Sequence, residues 1–138
     1  MRRLLWILGL AVTLVSGVLS QETGGISTIV LAKSTSSWDG TPLPAYPTKN
    51  PEITILKITI PPGAALPIHQ HPVINAGVLL SGELTVTTED EKTHRLNAGE
   101  ALIELVKKWH YGKNTGKEPA VIVVFYAGAR DSAITVRK

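Results

Sequence analysis

Apolar and polar positions alternate along much of this chain with a period of two, the pattern of strands that bury one face. The clearest run is Glu52–Ile60 (EITILKITI), with Ile53, Ile55 and Lys57 on one side and Thr54, Leu56, Ile58 and Ile60 on the other. Both sides are largely apolar, which predicts a strand lying between two β layers. Further strands are predicted over Ile26–Lys33, Gly77–Leu80, Glu83–Thr88, Thr93–Leu96, Ala101–Val106, Ala120–Tyr126 and Ser132–Val136. Ala120–Tyr126 (AVIVVFY) is the most apolar and is expected to be central. Turn signals separate them: Pro61-Pro62-Gly63, a hairpin signal at Ser81-Gly82, Glu89–Lys92, Asn97-Ala98-Gly99 and Asn114–Pro119. Lys107–Gly112, carrying Trp109 and His110, reads as a loop. No stretch between residues 26 and 138 holds a capped helical period. The pattern predicts an all-β sandwich or barrel.

The first twenty residues break this pattern. Met1–Ser20 has a basic start at Arg2 and Arg3, an apolar run Leu4–Val15, and small residues before Gln21. It reads as a signal peptide cleaved near Ser20/Gln21, which predicts a periplasmic or secreted protein with no stable membrane anchor. Losing Arg2 and Arg3 takes the net charge from +3 to +1. No Lys/Arg cluster is interleaved with aromatics, so nucleic acid is not an expected partner. Residues 21–50 read as an N-terminal strand followed by a turn-rich loop, Ser34–Asn50, kept in order by the packing of Trp38 and Tyr46. The absence of cysteine removes disulfides, thiolate metal sites and thiol nucleophiles.

The chemistry concentrates in Gly63–Gly82 (GAALPIHQHPVINAGVLLSG). His69 and His71 are two apart, so on an extended strand both imidazoles project to one face as two pre-aimed nitrogen donors. His94, beside the acidic turn, reads as a surface residue.

These residues resemble the cupin family. Gly63, His69, His71 and Gly82 fall on its first motif, with Asn75 where the motif has glutamate. Gly99, His110 and Asn114 fall on its second, with Leu105 and Lys107 in place of the motif proline and glycine. The resemblance implies a small antiparallel jelly-roll β-barrel over residues 51–138. Inside it a divalent transition metal (Fe, Zn, Mn, Ni or Cu) would be held by His69, His71 and His110. Asn75 offers a neutral amide oxygen instead of a carboxylate, a weaker ligand. Glu104 stands in an otherwise apolar segment and has two readings: a metal ligand or active-site proton carrier, or an exposed outward side chain. Trp109 and Tyr111 either line a pocket mouth or pack, and Tyr126 is similarly open.

The implied function is an exported small-molecule enzyme of oxygenase, isomerase or lyase type. The alternative is a non-catalytic module binding a small molecule or the metal. An exposed strand edge at Ile26–Lys33 would allow pairing into a homodimer.

Overall fold

Segments rich in β-branched residues cannot satisfy their backbone alone, and here they pair into two antiparallel sheets. The computed structural model describes residues 25–138; the expected signal peptide and its cleavage site lie outside the described residues. Residues 25–30 belong to a separate unit, Met1–Val30, and the sheets belong to the other, Leu31–Lys138. Nine strands follow in order: β1 (Pro51–Ile60), β2 (His69–Gln70), β3 (Ile74–Ser81), β4 (Glu83–Thr88), β5 (Thr93–Asn97), β6 (Ala101–Ile103), β7 (His110–Lys113), β8 (Ala120–Ala129) and β9 (Val136–Arg137). Among the described residues there is no helix. One sheet has the order β1-β8-β3-β6 and the other β5-β4-β7-β2-β9. This is the expected all-β jelly-roll arrangement.

Alternation puts the core between the sheets. On β8, Ala120, Ile122, Val124 and Tyr126 are buried; on β4, Leu84 and Val86; Ile60, Leu79, Leu96 and Leu102 complete the cluster. Each large aliphatic side chain buried here contributes roughly 1.5–3 kcal/mol. Asn114, fully buried, ties the end of β7 to the rest. Its Nδ2 donates to the carbonyls of Ile60 and Glu118, and its Oδ1 accepts from the Gly116 N–H.

Several expectations are corrected. Ile26–Lys33 forms no strand: Ile26 makes an isolated bridge and the residues after it enter no ladder. β1 lies at a sheet edge rather than between layers, with Ile53 52% and Ile55 62% exposed on its outer face. Ser81-Gly82 is no hairpin: β3 and β4 belong to different sheets, so the chain turns a corner there. The strand at Ala101 stops at Ile103, and the last strand shortens to Val136–Arg137. His110 sits on β7, not in a loop, since its backbone ladders to β2 and β4.

The loop before β1 is ordered, as its aromatics implied. Ser37 Oγ donates to the Glu104 carbonyl, the Trp38 N–H to the Ile103 carbonyl, and Lys108 pairs with Asp39 at 2.5 Å. Tyr46, expected to help, is exposed instead.

Candidate metal centre

The β2–β7 register sets His69 directly across from His110, and His71 follows just past β2. Ring centroids stand 4.5 Å apart for His69 and His110, 4.9 Å for His69 and His71, and 5.1 Å for His71 and His110. One ring nitrogen from each of the three lies within 4.8 Å of the others. All three residues are buried.

The backbone determines which nitrogen is free. His69 Nδ1 is 2.7 Å from the Pro67 carbonyl, His110 Nδ1 2.8 Å from the Lys108 carbonyl and His71 Nδ1 2.8 Å from the Ile134 carbonyl. A carbonyl only accepts, so each Nδ1 carries the proton and each Nε2 keeps its lone pair. Burial is the main cause that pushes all three imidazoles below their ordinary pKa, His71 to about 4. They are neutral at pH 7, the form that binds metal.

Two further polar side chains line the same cavity as this cluster. Asn75, on β3 and 1% exposed, lines the same cavity. Among the described residues, Asn75 Oδ1 and His110 Nε2 are the buried side-chain polar atoms without a hydrogen-bond partner. An orphan of this kind costs about 1–3 kcal/mol. Two of them in one cavity, beside two more bare nitrogens, form a donor set that a divalent transition metal would satisfy. Glu104 is buried just past β6, which excludes its outward-facing reading. Its Oε1 accepts from the Trp38 indole N–H at 3.0 Å and the Leu105 N–H at 2.8 Å. Its Oε2 stands 3.9 Å from His110 Nε2. Burial pushes this carboxyl up, against those two bonds, which pull it down.

The cavity between the sheets measures about 380 Å³ and opens beside the histidines, Glu104 and Asn75. Tyr126 lines it, its ring 5.3 Å from that of His71, whereas Trp109 and Tyr111 do not. His94 is half-buried rather than a surface residue, stacked on Trp38 with centroids 5.4 Å apart. Sequence reasoning missed Trp38 as a partner of Glu104, and the support of His71 by Ile134 and Thr135. An indole in a Pro/Ser/Gly loop was a signal for the first. A backbone carbonyl carries no signal for the second.

The family profile described as the cupin domain matches residues 56–126, half of the chain. The chain belongs to the cupin family. No curated protein sequence matches it. Among solved structures, a Klebsiella pneumoniae protein with a double-stranded beta-helix domain is similar at TM-score 0.55 and 21% identity, covering 70% of this chain and 80% of that one. An oxalate oxidase in complex with the substrate analogue glycolate is similar at TM-score 0.53 and 25% identity, over 62% of this chain. Bacillus subtilis oxalate decarboxylase, described for its Mn(II) centres, is similar at TM-score 0.53 and 28% identity, also over 62%. This cupin spans 45% of the oxidase chain and 23% of the decarboxylase chain.

The cupin's departures from the motifs have visible consequences. Lys107, at the second motif's glycine position, adopts a left-handed φ of 56° while its N–H donates to the His71 carbonyl at 2.8 Å. The turn that glycine would make is thus kept by lysine at a cost of about 1–2 kcal/mol.

The three neutral imidazoles also set a pH response. A histidine whose folded pKa lies below its unfolded one stabilises the fold fully above the unfolded value. That contribution is lost as pH falls toward the folded value. For His71 the window runs from 6.5 down to about 4. The metal-free cupin is expected to lose about 3 kcal/mol across it from His71 alone. Glu104, shifted up, opposes this, and the downward shifts of His69 and His110 reinforce it. The urea midpoint should fall steadily over that window; a flat midpoint would contradict the neutral assignment.

Proposed function

We propose that this cupin holds a divalent transition metal on His69, His71 and His110 and acts with it on a small organic molecule, Glu104 carrying the proton. The observation behind this reading is the cluster of His110 Nε2, unpartnered, with two fixed-tautomer imidazoles, in a cavity that the unpartnered Asn75 Oδ1 also lines. Bound there, the metal would supply Lewis acidity and open coordination positions. Neutral imidazoles suit Fe, Zn, Ni or Cu, and oxygen ligands such as Glu104 and Asn75 suit manganese, which the Mn(II) centres of the decarboxylase support. The chain's own contribution lies in Glu104. Trp38 and the Leu105 N–H occupy Oε1 and orient the carboxyl, leaving Oε2 to take or give a proton. Burial raises its pKa above the ordinary carboxylate range, the direction a carboxyl that donates a proton requires. The Met1–Ser20 pattern supports action in the periplasm or outside the cell.

Asn75 favours a second reading, a non-catalytic binding module, because an amide oxygen gives the metal less charge than the motif carboxylate. Elemental analysis and turnover on the untagged protein separate the two. Wild type and Glu104→Gln are both expected to hold one metal per chain, with the variant slower by 10²–10⁴-fold. A loaded wild type inert to a panel of thiols, diketones and carboxylates would leave the binding module. An active Glu104→Gln would remove the proton role.

A further inference from the structure

The cavity has two unlike ends. The histidines, Glu104, Tyr126, Thr135 and Arg137 gather at one; Leu56, Ile58, Leu66, Val86, Leu102 and Val124 wall the rest. Strand register explains the split. Inward positions on β3 run Asn75, Gly77, Leu79, and on β8 they run Tyr126, Val124, Ile122. On β7, His110 is followed by Gly112. Two residues along each strand, about 7 Å, the lining therefore changes from polar groups to glycine or aliphatic carbon.

Gly77 and Gly112 lie at that second step on opposite sheets. Glycine inside a strand costs roughly 0.5–1 kcal/mol against alanine and often marks a place a ligand approaches closely. At Gly77 an added Cβ would press on Ile122 Cδ1 at 3.0 Å, so packing accounts in part for that glycine. Gly112 has no such reason. A Cβ there would meet only Leu84 Cδ1 at 3.4 Å and Leu66 Cδ1 at 3.6 Å, ordinary contacts, and its φ is not in the left-handed region. Glycine at 112 leaves the space beside Leu66 and Leu84 unfilled in the cavity lining. At roughly 30 Å³ per water-sized group, the cavity of about 380 Å³ accepts about a dozen. Arg137, next to His69 across the β2–β9 pairing, is the one cation in the lining and makes no ion pair among the described residues.

We propose that the substrate is a small amphiphile, with an apolar body seated in the chamber between Gly77 and Gly112 and a single anionic oxygen head group facing the histidines and Arg137. A dianion such as oxalate, with no apolar part, would leave the aliphatic wall uncovered and fits the cavity less well. The head-group half rests on the metal reading above; the chamber does not.

The test is calorimetric titration of untagged protein, metal-loaded and metal-free, with straight-chain monocarboxylates from acetate to decanoate and with oxalate. Wild-type affinity is expected to rise roughly fourfold per methylene, reaching its maximum at about eight to ten carbons. Gly112→Val should move that maximum at least two carbons shorter and leave acetate within twofold. Gly112→Ala, a smaller change, should move it in the same direction and serves if the valine variant does not fold. Affinity independent of chain length, oxalate binding tighter than octanoate, or an unmoved maximum in both variants would overturn the proposal. Chain-length dependence in a protein that takes up no metal would overturn the metal reading alone. Metal uptake without chain-length dependence would overturn the chamber alone.

Discussion

His110→Ala is expected to lose metal-dependent stabilisation almost completely. In the wild type, a divalent metal at one hundred times its Kd should stabilise the fold by about 2.7 kcal/mol. For a domain of this size that is a rise in Tm on the order of 10 °C. The gain has a structural source: His110 Nε2 is buried without a partner and the other two Nε2 atoms face the same space. Removing supporting groups around a metal costs 10–100-fold in affinity, so removing a ligand should cost at least about a hundredfold. At the same metal concentration the variant then sits near its Kd, where stabilisation falls to about 0.4 kcal/mol, a rise of about 2 °C. His94→Ala is the control, because that ring stacks on Trp38 and is not one of the three. Thermal melts with and without zinc or manganese read the difference directly. A His110→Ala protein that keeps the full rise would falsify the three-histidine centre.

Gly82→Ala should be the most damaging single methyl in the chain. An added Cβ would lie 2.6 Å from the Pro119 carbonyl oxygen, 2.8 Å from Ala120 Cα and 3.0 Å from Ala120 N. All three are backbone atoms leading into β8, the strand paired to both β1 and β3, so none can turn aside. The left-handed φ of 76° adds a penalty that only glycine avoids. Together the two effects amount to at least about 3 kcal/mol. Gly63→Ala and Gly99→Ala isolate the backbone part. Both positions have positive φ, but nothing lies within 4 Å of a Cβ there, so each should cost only about 1–2 kcal/mol. Urea unfolding of the three variants measures the gap. Equal losses at all three positions would show that close approach at the corner contributes nothing.

Gly82 and Glu104 show how far the chain could be read before its fold was known. That Gly82 turns the chain was legible, because a glycine after serine between two alternating runs is a local signal. Whether the turn closes a hairpin or a corner was not, because both use the same left-handed glycine. The difference lies in Pro119 and Ala120, far along the chain and close in space. Glu104 was half legible: a carboxylate among Ala101, Leu102, Ile103 and Leu105 signalled something unusual. Its burial and its indole partner depend on where a loop from residues 34–50 lies.

Alternation and composition, which need no long-range partner, establish an all-β chain, the shared direction of His69 and His71, and the exclusion of thiolate chemistry. The resemblance to cupin motifs added His110. Only the folded chain places His110 across a strand pair from His69, ties each Nδ1 to a carbonyl, and sets Gly77 and Gly112 in the cavity lining beside them. One cause underlies all three. Strand pairing brings together residues whose separation along the chain carries no trace of the contact, and backbone carbonyls, which set the imidazole tautomers, are identical in every residue type.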